Sequence, residues 1–179
     1  MLLPDLLTTD RLILRPHQPD DFDGFYRVIT NKEATRFVQF SEDDQSRDYL
    51  EAFFQEILST MNSSHPVFGL AILEKGSRDY VGFCGLSELP DDSGTETYYV
   101  LNPDMWGKGY ATEAAQKLFE YAFSVLDLPH LDTFLVDENK ASHLVAHKLG
   151  MQDLGLTDHR EYSRPVRRFR VEKKAFFEL

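Results

Sequence analysis

Short apolar runs of period two alternate along this chain with longer stretches of period near 3.6, and the switches between them mark its elements. Leu12, Ile13 and Leu14, set between Arg11 and the Arg15-Pro16 pair, read as a short strand that the proline ends. Pro19, Asp20 and Asp21 then open an amphipathic helix to about Thr30, with acids in the first turn, where the helix dipole favours them. A second helix is expected to take Ser41 as its cap and Glu42, Asp43 and Asp44 as its first turn. Its buried face would carry Tyr49, Leu50, Phe53, Phe54, Ile57, Leu58 and Met61. From residue 67 the period falls to two. Strands over residues 67–73, 80–89 and 95–102 are joined by turn residues at 75–77 and 90–94, and such short links predict an antiparallel meander. A helix over about 111–126 follows, burying Ala114, Ala115, Leu118, Phe119, Ala122, Val125 and Leu126. Next come a strand over 131–136, a helix over about 140–149 stopped by Gly150, and further extended segments. The last of these spans 166–177, where Phe169 and Val171 alternate with arginines. This order predicts an α+β fold whose mixed sheet contains one crossover.

Composition narrows the class. A chain of 179 residues with no internal repeat or Pro/Gly-rich linker reads as one domain, 1–179, and 42% apolar with 27% charged residues is the balance of a soluble globular protein. Thirty acids against nineteen bases leave a net charge of -11, which disfavours a surface built to neutralise nucleic-acid phosphates. The lone Cys84 cannot form an internal disulfide and sits in an apolar strand, so it reads as packed rather than nucleophilic. Six scattered histidines offer no metal-binding set; His143 and His147 lie four apart on one helix, but no third ligand completes the motif, so they read as surface residues. With no leader pattern and no run approaching the ~20 apolar residues of a membrane span, the expected location is the cytoplasm.

One segment carries candidate chemistry. Asn102-Pro103-Asp104-Met105-Trp106-Gly107-Lys108-Gly109-Tyr110-Ala111-Thr112 joins a strand to a helix, and its glycines let main-chain N–H groups converge at the helix start. Such a point attracts anions, and Lys108 beside it suits a pyrophosphate. A glycine-rich turn with no ligand fits the same residues. The nucleoside-triphosphatase loop does not, because it needs four residues between its first glycine and Gly-Lys-Ser/Thr.

The segment resembles the acyl-CoA signature of the GNAT superfamily of N-acetyltransferases, Gln/Arg-x-x-Gly-x-Gly/Ala. Trp106 stands at the first position, a departure, while Gly109 and Ala111 meet the last two. The wording Trp-Gly-Lys-Gly-Tyr-Ala-Thr-Glu-Ala is similar to the RimJ/RimL-like branch, whose namesakes acetylate the amino termini of ribosomal proteins. Thr9-Asp10-Arg11-Leu12-Ile13-Leu14-Arg15, Val81-Gly82-Phe83-Cys84-Gly85-Leu86, Asn139 with Ser142, and Lys148-Leu149-Gly150-Met151 carry the likeness over nearly the whole chain. It implies the GNAT fold: a mixed, mostly antiparallel sheet flanked by helices, with a V-shaped splay between the fourth and fifth strands. Acetyl-CoA would be the co-substrate, with no metal. Its pantetheine would pair with the main chain of Val100 and Leu101, and its pyrophosphate would meet the N–H groups of Gly107, Lys108, Gly109, Tyr110, Ala111 and Thr112. Asn139 matches the family asparagine that binds pantetheine, and it also suits the amino cap of the following helix.

Acetyl transfer needs a neutral amine, hence a base or a water chain leading to one. Glu96 matches a common family position for that base and also reads as an ordinary carboxylate near a strand start. In the Rim branch a glutamate often follows the later Gly-Phe, but Leu154 stands there with Asp153 alongside. Ala146 replaces the tyrosine that many members use to protonate the departing thiolate, and Ser142 is the Rim-like substitute. Arg160, Arg164, Arg167, Arg168, Arg170, Lys173 and Lys174 make a basic tail, read as a solvated face that would otherwise orient an acidic partner or the cofactor's 3′-phosphate. The expected activity is direct acetyl transfer from a ternary complex to a primary amine, foremost a protein N-terminal α-amine. Alternatives are a small amine (polyamine, amino acid or antibiotic) and a coenzyme A-binding module without turnover, the protein being a monomer or homodimer. Acids at Asp20, Asp21, Asp23, Glu42, Asp43, Asp44, Asp48 and Glu51 lie near the expected acceptor entry and would favour a cationic amine.

Overall fold

A computed structural model describes residues 1–38, 46–61, 63, 67–90 and 93–178. The apolar triplet at the chain start becomes β2 (Leu12–Pro16), which pairs antiparallel with β1 (Leu7–Thr8) and β3 (Gly69–Glu74). β3 is buried along almost its full length, as a strand covered on both faces must be, which explains its unbroken apolar run. β4 (Tyr80–Glu88) and β5 (Thr95–Leu101) complete the expected meander. β6 (His130–Leu135), β7 (Gln152–Thr157) and β8 (Val166–Glu172) follow, with β8 antiparallel to both others. The sheet is mixed and has the order β1-β2-β3-β4-β5-β6-β8-β7; β5 meets β6 in parallel at Glu96 and Asp132.

The helices are α1 (Phe22–Ile29), preceded by a 3-10 turn at Pro19–Asp21, α2 (Arg47–Thr60), α3 (Tyr110–Ser124), α4 (Lys140–Lys148) and α5 (Lys173–Phe176). By its contacts the chain forms two compact units, Met1–Gly85 with Tyr99–Leu118, and Leu86–Tyr98 with Phe119–Leu179. In the first, Phe25 and Phe54 meet the His17 ring edge to face and Phe83 packs on Phe25, while Leu12, Leu14, Leu70 and Ile72 are fully buried. In the second, Phe119 and Phe123 meet Phe176, and His143 and His147 present ring edges to Phe169.

Several expectations change. The cap Ser41 and the acids Glu42, Asp43 and Asp44 lie outside the described residues; α2 as described starts at Arg47, where Ser46 accepts a hydrogen bond from the Tyr49 N–H. Tyr49 is half exposed, so the buried face narrows to Leu50, Phe54 and Ile57. Asp21 does not serve the helix dipole from a solvated turn: it is buried and gripped by both terminal nitrogens of Arg15 and by the Gln18 N–H. α3 ends before Val125, which is exposed, because the chain turns at Asp127, a residue with positive φ. β8 stops at Glu172, and residues expected to continue it fold as α5, turning Phe176 into the core. The imidazole of His143 is half buried and lies 3.1 Å from the Val136 carbonyl, so it packs and bonds rather than standing free.

Candidate active site

Each unit holds part of the candidate chemistry. In the first, β5 ends at Leu101 and a 3-10 turn (Pro103–Met105), capped by the Asn102 side chain, leads into the glycine segment. Gly107 and Gly109 take φ of 73° and 82°, a region closed to most side chains, which turns the main chain so that α3 starts at Tyr110. The first N–H groups of any α-helix lack intrahelical partners, so those at the start of α3 are suited to an anion. A Cβ on Gly107 would meet nothing within 4 Å, so the space beside it is open. A helix start, open space and a cation fit a pyrophosphate, and Lys108 is the exposed cation carried on the turn itself.

The turn is held by residues that the sequence marked only as part of a likeness. Arg11 donates through Nε to Glu113 Oε2 at 2.7 Å and through a terminal nitrogen to the Lys108 carbonyl at 2.9 Å. Its own N–H and the Thr9 hydroxyl donate to the other Glu113 oxygen. Burial opposes the Glu113 charge, but these donors outweigh it and hold the carboxyl below its usual range. Tyr110 donates its hydroxyl to Glu74, and the Arg11 guanidinium lies 4.7 Å from the Tyr110 ring centre. Trp106 donates its indole N–H to the Leu101 carbonyl at 3.0 Å, tying the turn to the strand end and occupying one of the main-chain groups expected to meet pantetheine. The Asn102 N–H donates to Val81, and the Val100 carbonyl faces Gly82, where a Cβ would stand 2.2 Å from that oxygen. Val100 thus turns this carbonyl toward β4, and by strand alternation the main-chain N–H and C=O of Leu101 point the other way.

In the second unit, Glu96 projects from β5 between the inward-facing Thr95 and Thr97. Its Oε2 lies 3.2 Å from His159 Nε2, and the His159 ring stacks on Phe134 at 4.4 Å and approaches Tyr162 at 5.6 Å. Burial, reinforced by the Glu161 charge, pushes the Glu96 carboxyl up to about 7. Burial also holds the His159 imidazole below its ordinary value, and raises the Tyr162 hydroxyl with help from Glu96 and Glu161. A carboxyl that ionises near neutrality is suited to taking a proton at working pH, which an ordinary exposed carboxylate is not. Asn139 caps α4, its side-chain oxygen accepting from the Ser142 N–H at 3.2 Å, and Ser142 sits half-buried in the first turn.

The basic tail is largely paired rather than solvated. Arg168 and Arg170 both grip Asp132, which is 0% exposed; burial opposes its charge, but the two guanidiniums hold it below the usual carboxylate range. Arg167 bonds Asp137 and Asp153, Arg164 bonds Glu138, and Lys173 bonds Asp127. Asp153 is therefore committed to Arg167. Cys84 is buried, and its thiol is pushed up to about 12, as a packed rather than nucleophilic residue requires. Among the described residues no cluster could hold a metal ion, and no helix is long and apolar enough to cross a membrane.

Nothing in the sequence pointed to His159, which meets Glu96 across 63 positions of the chain, or to Phe134 and Tyr162 beside its ring. The brace on the glycine segment was visible only as the Thr9-Asp10-Arg11 wording.

Comparison with known proteins agrees with this geometry. The family model of the acetyltransferase (GNAT) domain matches residues 11–152. The chain is 28% identical over 156 residues to an uncharacterized N-acetyltransferase, p20, of Bacillus licheniformis, covering 85% of each chain. It is 28% identical over 155 residues to the spermidine N(1)-acetyltransferase of Escherichia coli K12, covering 82% of this chain and 75% of that one. Among solved structures, a candidate ribosomal-protein-serine acetyltransferase from Vibrio cholerae superposes with a TM-score of 0.78 at 19% identity, over 96% of this chain and 99% of that one. The spermidine N-acetyltransferase of the same organism, in complex with CoA and spermine, gives 0.77 at 16% identity, over 94% and 99%. The eight-stranded mixed sheet, the order of its elements and the family match together show that this chain belongs to the GNAT acetyltransferase family and is an N-acetyltransferase.

Proposed function

We propose that the protein moves an acetyl group from acetyl-CoA directly to a primary amine, foremost a protein N-terminal α-amine, in the manner of the RimJ/RimL-like branch. The observation that carries this reading is the half-buried Glu96 carboxyl, pushed up to about 7 beside His159. Acetyl-CoA, when bound, supplies an activated thioester. Gly107, Lys108, Gly109, Tyr110, Ala111 and Thr112 would hold its pyrophosphate, with Arg11 bracing the turn. Trp106 fixes the strand end, and the pantetheine would meet the Leu101 N–H rather than Val100, whose carbonyl faces β4. Ionised Glu96 accepts a proton from the incoming ammonium, leaving a neutral nucleophile. Asn139 sets the start of α4, and the Ser142 hydroxyl would donate to the departing sulfur.

The height of the Glu96 carboxyl bears on the acceptor. Taking a proton from an α-ammonium of pKa near 8 onto a carboxyl of about 7 costs about 1 kcal/mol, against roughly 5 kcal/mol from an alkylammonium near 10.4. That difference favours an α-amine. A polyamine is the second reading, favoured by the net charge of -11 and by the Escherichia coli relative named for spermidine. A single buried cysteine accords with a reducing, cytoplasmic setting.

Free-thiol release from acetyl-CoA, run against peptides with free amino termini, the same peptides blocked, and spermidine, separates the readings. Turnover on free but not blocked peptides supports the first reading, and turnover on spermidine alone supports the second. Coenzyme A binding with no turnover on any acceptor would make the protein a binding module.

A further inference from the structure

The second unit contains an arrangement that the base assignment does not use. His159 Nδ1 faces the N–H of Glu161 at 3.4 Å, while Nε2 faces Glu96 Oε2 at 3.2 Å. A main-chain N–H can only donate, so Nδ1 is the acceptor, and the proton of a neutral imidazole must sit on Nε2, aimed at the carboxylate. The ring packs on Phe134 at a tilt of 35° and is bounded by Tyr162, so its orientation is fixed by packing as well as by the two polar contacts.

We propose that His159 is a positioning residue for Glu96: a neutral Nε2–H donor that pins Oε2 and leaves Oε1 as the atom that takes the amine proton. This rests on the reading of Glu96 as the base. Neutrality is what makes the partner useful. An imidazolium 3.2 Å from the carboxylate would favour the ionised form and pull the carboxyl well below neutrality, making it a poor base. A neutral donor fixes the geometry at a smaller cost in basicity.

The surroundings enforce that neutrality. The His159 side chain is nearly fully buried, which disfavours its cation; Glu161 favours the cation and Arg160 opposes it. On the β6 side the facing groups are Phe134, which is apolar, and Asp132, whose charge is taken up by Arg168 and Arg170 from β8. Tyr162 adds an un-ionised hydroxyl. In the same loop Asp158 and Glu161 are both exposed, and Glu161 lies 3.8 Å from the Arg160 guanidinium.

The test uses the resting protein first. Nitrogen-detected NMR of the His159 ring should show the neutral Nε2–H tautomer near neutral pH, and the Glu96 carboxyl carbon should titrate near 7. In His159→Phe, which keeps the stack on Phe134 but has no donor, the Glu96 inflection should move upward. In His159→Gln, whose amide can donate to Glu96, it should return toward the wild-type position. An imidazolium at neutral pH, the Nδ1–H tautomer, or a Glu96 inflection unmoved in His159→Phe overturns the proposal, and none of these readings depends on turnover. With an accepted amine, His159→Phe should lower kcat by about ten- to a hundredfold, the loss of one hydrogen bond to a charged group, with the KM for acetyl-CoA unchanged and with most of kcat restored by glutamine. Equal losses in the phenylalanine and glutamine variants contradict the positioning role. No turnover in wild type, with the NMR behaviour intact, counts against the acetyl-transfer reading and not against the pair.

Discussion

His17 is 2% exposed, enclosed by Phe25, Phe54 and Tyr80, and its Nδ1 is without a hydrogen-bond partner among the described residues. Burial pulls its imidazole down from 6.5 to about 4, with Asp21 opposing and Arg15 assisting. The sign follows from which state binds the proton. Unfolded chains take it up as pH falls through 6.5, whereas the folded protein resists until about 4, so stability present above 6.5 is lost progressively between those values. The gap corresponds to about 3 kcal/mol in full, of which about 2.5 kcal/mol is lost between about pH 7.5 and about pH 4.5. Glu96 acts in the opposite sense, because its carboxyl is raised by folding and loses stability as pH rises toward 7. The two nearly cancel in the wild-type curve, so the informative quantity is the difference from His17→Leu. That variant removes the titrating ring and the unpartnered nitrogen together, and should lie within about 1 kcal/mol of wild type near neutrality. Urea unfolding followed by far-UV circular dichroism at both pH values should then show the wild-type midpoint falling relative to the variant by about 1 M on acidification. Parallel pH dependence in the two proteins would refute the burial argument.

Other substitutions probe separate links. Gly82→Ala places a Cβ 2.2 Å from the Val100 carbonyl, so β5 must move; a loss of about 3 kcal/mol is expected in the same unfolding assay, and an unchanged midpoint would mean that the approach is not tight. Asp132→Asn leaves Arg168 and Arg170 without their shared carboxylate and should cost about 3 kcal/mol, with a value below about 1 kcal/mol showing that solvent satisfies both guanidiniums. Arg11→Ala removes the brace from the Lys108 carbonyl and should weaken coenzyme A about fivefold in calorimetry, equal to about 1 kcal/mol. Unaltered affinity there would detach the brace from cofactor binding.

The fold was legible wherever pattern and turn chemistry agreed. The meander followed from period-two runs separated by short polar turns, and α3 followed from its alanine- and aromatic-rich face behind two glycines. Ends were harder to read, because they depend on where packing stops: Val125 continues the helical period yet is exposed, and Phe176 keeps the strand alternation yet enters the core from α5. The glycine segment and Glu96 were visible as residue types at family positions. The environment of Glu96 was not, since Phe134, His159 and Glu161 come from β6 and from an aperiodic loop whose facing cannot be read from spacing. The same limit applied to the arginines of β8. Alternation shows that Arg168 and Arg170 share a face, but not that a fully buried aspartate on β6 waits opposite them.

The central claim is that Glu96 is the base of an acetyl-CoA-dependent amine acetyltransferase. Its most direct test is the pH dependence of kcat/KM for thiol release, in wild type and Glu96→Gln, on the acceptor that the amine panel identifies. Wild type should rise through an inflection near 7, while the glutamine variant should lose that inflection and about a hundredfold or more in rate near neutrality. A Glu96→Gln enzyme with the wild-type rate and the same inflection would contradict it.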